Sequence, residues 1–424
     1  MPALQGERAA EYLKEQGSFA SLQEALRDAR ARATLSYGAG LAYPATTNPT
    51  LIQETYLKGS NTDEGDQLGS AVAVSGETVV VGASFEFNGS DTGPVAGAAY
   101  VFVRQGGAWS EQAYLKASNR NGFDRFGSSV SVSGDTIVVG APAEDSGATG
   151  AGGNQDDESV TDSGAAYVFV RSGTTWTQQA YLKASNPGQS DWFGGAVSVS
   201  GDTVVVGAFS EDSSAAGVNV EQADNSASDS GAAYVFTRSG ATWSQQAYLK
   251  ASNAGAGDQF GSAVAVSGET VVVGAPKEDS SATGVAGNQS SNSVFNAGAT
   301  YVFARSGATW SQQAYLKSIN PPAFGDEFGT SAAVSGDTVV VGTFRALFVY
   351  VFVRDGVTWG PQASLKVTQS SPDQDLFGSS VSVSGDTVVV GAPFEDGGGP
   401  ALTATRTMSR RPTPGPLTCS RGAA

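Results

Sequence analysis

Two stretches gather carboxylates without any base among them. Residues 142–163, PAEDSGATGAGGNQDDESVTDS, carry Glu144, Asp145, Asp156, Asp157, Glu158 and Asp162. Residues 209–230 carry Glu211, Asp212, Glu221, Asp224 and Asp229. Oxygen ligands in numbers are what a hard cation such as Ca²⁺ requires, so Asp145, Asp156, Asp157, Asp162, Asp212, Asp224 and Asp229 are the candidate ligands. Glu144, Asp145, Asp156, Asp157, Glu158, Glu211, Asp212 and Glu221 would equally form an acidic binding face for a basic partner. Paired carboxylates roughly 5–9.5 Å apart would suit glycoside hydrolysis, a separation that sequence does not fix. The plainer alternative is a pair of solvated loops, although loops this long on a compact scaffold are often functional.

Composition narrows the chemistry. The 424 residues include no His, one Cys (Cys419) and 55 Gly, with a net charge of −17. Without His the chain lacks the side chain best suited to proton transfer at neutral pH and the commonest metal ligand. A single Cys excludes an intramolecular disulfide and a Cys-rich metal site. The negative charge argues against nucleic acid and anionic membrane as partners. No apolar run approaches the length of a transmembrane helix. The first thirty residues are charged and show no secretory signal pattern.

The elements that must position these loops come from an internal repeat. FGSSVSVSGDTIVVGAPAED, residues 126–145, returns as near-copies beginning at Phe193, Phe260, Phe328 and Phe377, and more loosely at Leu68. Trp109, Trp176, Trp243 and Trp310 stand 67 residues apart, and Trp359 follows 49 later. In the unit 194–250, GGAVSVS alternates with strand period. Gly201-Asp202 is a tight-hairpin signal. TVVVGA is apolar enough for burial on both faces. GAAYVFTR and TWSQQAYLK then give two further strands, here called C and D after A and B. Four antiparallel strands per unit, repeated, predict an all-β propeller, since stacked sheets bury each other's apolar faces. Whole blades are expected at 69–116, 127–183, 194–250, 261–317 and 329–366, with an incomplete sixth from Gly378 to about Pro393. QETYLK, 53–58, matches strand D and is expected to close the ring.

The phrases FG…VSVSGDTVVVGAP and GAAYVF resemble the FG-GAP repeat of integrin α-subunit propellers, and bacterial-type FG-GAP proteins most of all. The resemblance covers about residues 51–396. It implies adhesion, extracellular protein binding and a secreted or cell-surface location. The integrin-type calcium cluster between strands A and B is not carried over, because only VSGDT or VSGET stands there. RSGATW also resembles the Asp-box turn of sialidases, but lacks its Asp.

The other repeated residues read as structure. The tryptophans anchor an outer strand. Lys58, Lys116, Lys183, Lys250, Lys317 and Lys366 occupy solvated outer positions. Arg104, Arg171, Arg238, Arg305 and Arg354 make blade ion pairs. Asp66, Asp124, Asp191, Asp258, Asp326 and Asp375 close Asx-type turns. Strand alternation places the B–C loops and D–A connections on one face. Residues 1–50 read as a helical segment, with a helix over about 22–33, followed by a linker. Residues 397–424, Pro- and Arg-rich, read as a disordered tail produced by truncation or a frame shift. Asn88 and Asn288 begin glycosylation sequons.

The functional expectation is a non-catalytic interaction or adhesion propeller binding a protein or glycan through its loop-bearing face. A carbohydrate-active or other hydrolytic propeller enzyme is the alternative, and a cation-binding structural module the third. Uniform repetition favours the first, because catalysis needs unlike groups converging at one spot.

Overall fold

The computed structural model describes residues 55–61, 63–87, 95–119, 121–345, 348–366 and 376–393. The expected N-terminal helix and the Pro/Arg tail lie outside these residues. Among the described residues all regular structure is strand. Blade 1 holds β1 (Leu68–Ser75), β2 (Thr78–Ala83), β3 (Ala98–Gln105) and β4 (Ala108–Leu115). Blade 2 holds β5 (Ser129–Ser133), β6 (Thr136–Ala141), β7 (Ala165–Ser172) and β8 (Thr175–Leu182). Blade 3 holds β9 (Ala196–Ser200), β10 (Thr203–Ala208), β11 (Ala232–Ser239) and β12 (Thr242–Leu249). Blade 4 holds β13 (Ala263–Ser267), β14 (Thr270–Ala275), β15 (Ala299–Ser306) and β16 (Thr309–Leu316). Blade 5 holds β17 (Ala332–Ser335), β18 (Thr338–Val341), β19 (Phe348–Asp355) and β20 (Thr358–Lys366). The sixth sheet has two strands, β21 (Ser380–Ser384) and β22 (Thr387–Gly391). Each four-stranded sheet is an antiparallel meander in chain order. The fold is a propeller of five whole blades and a partial sixth.

The A–B hairpins turn on Gly-Asp or Gly-Glu. In blade 3, Ser200 pairs with Thr203, leaving Gly201 at φ 57° in the first loop position. A positive φ there suits a two-residue turn that follows the twist of the strands, and only Gly adopts it without strain.

The B strands explain the stacking. In β6, Ile137 and Val139 pack with blade 1 residues Val80, Ala99 and Val101. Val138, on the opposite face, packs with blade 3 residues Val204, Val206 and Tyr234. The same alternation joins blade 3 to 4, 4 to 5 and 5 to 6. The A strands lie side by side in the order β1, β5, β9, β13, β17, β21.

The FG dipeptide is a point of close approach. A Cβ built on Gly207 in β10 would lie 2.0 Å from the carbonyl oxygen of Gly261 in the next blade. Neither backbone can yield easily. Gly207→Ala is therefore expected to destabilise by about 1–3 kcal/mol, the usual cost of overpacking. Thermal melts would check this; Gly240→Ala is a control only for crowding, since Gly240 has open space but a φ of 63°.

Ring closure by residues 53–58 is corrected. Residues 53–54 lie outside the described set, and residues 55–58 form no strand. Leu57 packs against blade 1 instead, beside Tyr100 and Phe102. Among the described residues, β21 does not pack beside β1 as successive A strands do.

No described helix is long and apolar enough to cross a membrane.

Candidate functional site

The B–C loops and D–A connections meet on one face, as strand alternation requires. Asn119, Asn186 and Asn253, in the connections, donate to Glu144, Glu211 and Glu278 in the loops at 2.9, 2.8 and 2.8 Å.

These glutamates form buried knots, and two expectations need correction. Glu144 accepts Lys183 Nζ at 2.8 Å, Tyr181 OH at 2.7 Å and the Ser146 amide at 3.1 Å. Lys183 also donates to Ser163 Oγ at 2.7 Å. Glu211 with Lys250 and Glu278 with Lys317 repeat the arrangement. Lys183, Lys250 and Lys317 are therefore fully buried, not solvated, and Glu144 and Glu211 offer nothing to a partner. Burial holds the three lysines below the ordinary lysine range, against the pull of their glutamates. The signal was in the sequence: each Glu precedes its Lys by 39 residues. Blade 1 uses Lys116 with Glu86. Lys58 is exposed, and Lys366 lies over the Phe348 ring at 5.3 Å.

Most of the candidate metal ligands order the loops. Asp145 and Asp212 accept the amides of Asp162 and Asp229, at 2.7 and 2.9 Å. Asp157 accepts the amides of Gly147 and Ser159, both at 3.1 Å. Asp224 accepts the Ser226 amide at 3.0 Å and the Ser214 hydroxyl, and these bonds lower its pKa. Glu221 accepts the amides of Gln222 and Ala223. Asp156 is exposed. Among the described residues no three acidic side chains converge closely enough to hold a metal ion.

The aspartate before each FG does close a local turn. Asp124, Asp191 and Asp258 accept the amides of Asn121, Gly188 and Gly255. Burial, with neighbouring carboxylates adding to it, raises them to about 8, 7 and 7. Asp375 lies outside the described residues. A folded-state pKa raised above the unfolded value gives stability that is complete below about pH 4 and lost as pH rises through 7–8. Asp191→Asn and Asp258→Asn should match the parent near pH 4 and exceed its melting temperature at pH 8.5. Melting curves across that range check it; parallel curves would contradict the raised pKa.

On the opposite face Arg171, Arg238, Arg305 and Arg354 pair with Asp135, Asp202, Glu269 and Asp337 in the A–B turns. Each guanidinium lies 5.1–5.2 Å from the ring centre of its blade's Trp. Each C–D pair carries a bulge, and the extra residue is a Gln. That Gln accepts the Trp indole of the next blade: Gln112 from Trp176, Gln179 from Trp243, Gln246 from Trp310, Gln313 from Trp359. A shallow cavity of 360 Å³ lies on this face between blades 1 and 2, lined by Arg104, Arg171 and Glu77. Its arginines recur in every whole blade, so it marks a joint between blades.

Blade 2 is one of the places that depart from the repeat with titratable groups. Blade 2 and the connection entering it place Glu158 where blades 3 and 4 have Asn225 and Asn292. Arg125 stands where they have Trp192 and Gln259, and Phe123 where they have Ser190 and Gly257. Asn121 donates to Glu158 and ties the connection to the loop. Glu158 is exposed, yet partial desolvation and then Asp145, Glu144 and Asp157 raise its pKa. Arg125 lies between the rings of Phe85 and Trp192, at 5.7 and 5.2 Å. Phe123 is 68% exposed. Sequence reasoning named Glu158 but missed Arg125 and Phe123, which a column-by-column comparison of the units would have shown.

The model of the FG-GAP repeat matches residues 52–102, 109–169, 176–236, 243–303, 310–352 and 367–402. The chain belongs to the FG-GAP repeat family. No curated protein matches this FG-GAP chain. A solved structure found alongside it is the Pseudomonas aeruginosa periplasmic gluconolactonase PpgL, at 12% identity. The match covers 80% of this chain and 81% of that one, with a TM-score of 0.45. The expectation of a non-catalytic interaction propeller is withdrawn. That preference rested on uniform repetition, which the departures in blade 2 break. A likeness this distant assigns no activity to the FG-GAP chain.

Proposed function

We propose that this FG-GAP propeller is a hydrolytic enzyme acting on small sugar-derived esters or glycosides, with its reactive groups on the loop-bearing face of blade 2. The observation that carries the reading is Glu158, an exposed carboxyl with a raised pKa that stands where the next two repeats have Asn. A carboxyl poised nearer neutrality exchanges protons usefully in both directions. As carboxylate, Glu158 takes the proton of an attacking water; as acid, it returns the proton to the leaving oxygen. Arg125 supplies the positive charge that a developing oxyanion needs. Phe123 offers a flat apolar surface to a sugar ring.

A panel of lactones, aryl esters and aryl glycosides tests this. Turnover is expected on at least one class, and Glu158→Gln should lower kcat by about 100-fold or more. Arg125→Ala should lower kcat with less effect on KM. No turnover across the panel, or turnover unchanged in Glu158→Gln, defeats the proposal. An extracellular or cell-surface setting belongs to the same proposal and is supported by the FG-GAP repeats; fractionation of cells producing the chain would check it.

A further inference from the structure

We infer that the inner arc of the loop-bearing face binds an acidic oligosaccharide, whose uronate carboxylates meet Arg125, Lys277 and Arg345 and whose ring face meets Trp192. The sugar class rests on the hydrolytic reading above; the requirement for an anion rests on the arc alone.

One position of the repeat builds the arc. It is the residue before each FG, or before Leu68-Gly69 in blade 1, and it carries Gln67, Arg125, Trp192, Gln259, Glu327 and Leu376 in turn. Each stands just before an A strand. The A strands lie side by side, so these residues follow one another along the inner edge of the face. All six are half-buried, with φ between 50° and 59°. That backbone region suits Gly and is unusual for a bulky residue. A chain with 55 Gly uses none there. The main chain is tied down as well. The Trp192 amide donates to the Asp162 carbonyl at 3.2 Å, and the Trp192 carbonyl accepts the Gly195 amide at 3.0 Å. What differs from unit to unit is the side chain, so the position presents side chains.

Those side chains suit an anion with a flat face. Trp192 is the one tryptophan outside the repeated D-strand position. Its ring centre lies 5.2 Å from the Arg125 guanidinium and 5.9 Å from the centre of the Phe209 ring. A half-buried indole gives a pyranose face a large apolar platform. The starts of two B–C loops add cations beside the arc. The Lys277 amide donates to the Asp258 carbonyl at 3.2 Å, next to Gln259. The Phe344 amide donates to the Asp326 carbonyl at 3.1 Å, which seats Arg345 near Glu327. Glu327 lies in the field of both Lys277 and Arg345.

Charge points the same way. Most described lysines and arginines are taken up by the knots or by the A–B turns. Arg125, Lys277 and Arg345 make no ion pair among the described residues. A chain of net charge −17 thus keeps three unpaired cations along one arc. Positive charge there, with acidic loops outside it, steers an anion inward. The cations are spread over blades 2, 4 and 5, an arrangement that suits several carboxylates on one short oligomer rather than a single anion.

The test is calorimetric titration of the full chain with tri-galacturonate at low salt, with uncharged maltotriose as the control. Saturable submillimolar binding of tri-galacturonate is expected, weakening as salt rises. Maltotriose should bind at least about tenfold more weakly. The double variant Lys277→Gln/Arg345→Gln should weaken tri-galacturonate about tenfold, and Trp192→Ala about fivefold, with melting temperatures checked against the parent. No binding, equal affinity for maltotriose, or full affinity in both variants overturns the inference. Uronate binding without turnover in the panel of lactones, esters and glycosides upholds it and defeats only the hydrolytic reading; turnover without uronate binding does the reverse.

Discussion

Replacing Glu211 with alanine is expected to remove about 3–5 kcal/mol of folding stability, the cost of stranding a buried charge. Lys250 is 0% exposed and its ammonium lies 2.8 Å from Glu211 Oε2. The same carboxylate accepts Tyr248 OH at 2.7 Å, Asn186 Nδ2 at 2.8 Å and the Ser213 amide at 3.2 Å. Alanine takes this acceptor from all four donors, three of which belong to fully buried residues, Lys250, Tyr248 and Ser213. The contrast is Arg238 with Asp202, whose carboxylate is 67% exposed; breaking such a pair costs roughly 0–1 kcal/mol. Urea unfolding of Glu211→Ala, Asp202→Ala and the double variant Glu211→Ala/Lys250→Met separates the cases. The double variant should lose less than Glu211→Ala alone, because it leaves no buried ammonium. A loss below about 1 kcal/mol in Glu211→Ala would show that water reaches the knot.

The second large effect is expected at Trp310. It is 2% exposed and packs in the layer between blades 3 and 4. Its indole donates to Gln246 of blade 3 at 2.7 Å, and Arg305 lies 5.2 Å from its ring centre. Trp310→Ala should cost about 3–5 kcal/mol, as large-to-small changes at buried aromatic positions do. Trp310→Phe keeps much of the packing and loses the hydrogen bond, so it should cost less. Paired with Gln246→Leu, the two single losses should not add, since both remove one contact. Strict additivity would separate the indole from its glutamine.

The blades were legible because period-two patterning and Gly-Asp turns act locally. TVVVGA is apolar at consecutive positions, and the structure buries both of its faces between sheets. The Arg pairs also followed, as Arg171 and Asp135 end neighbouring strands. The knots were not legible from local pattern. Glu144 and Glu158 stand in one acidic loop and look alike, yet one is sealed beneath Lys183 and the other is exposed. Only the fold brings Lys183 back over the loop, so charge counting overstated the acidic face. Gln179 was equally hidden, because a bulge rather than alternation aims it sideways. Closure by 53–58 failed as an inference from likeness alone: the YLK pattern says what a strand resembles, not which edge it finds.

The glutamine-to-tryptophan contacts all run one way, from each unit to its successor. The joints are therefore polar and interchangeable, like couplings on identical carriages. Gene duplication or unequal recombination within such a tract adds or deletes a unit without redesigning a joint, whereas inversion of a unit would break two. Lengthening by whole multiples is thus the easy evolutionary route for this chain.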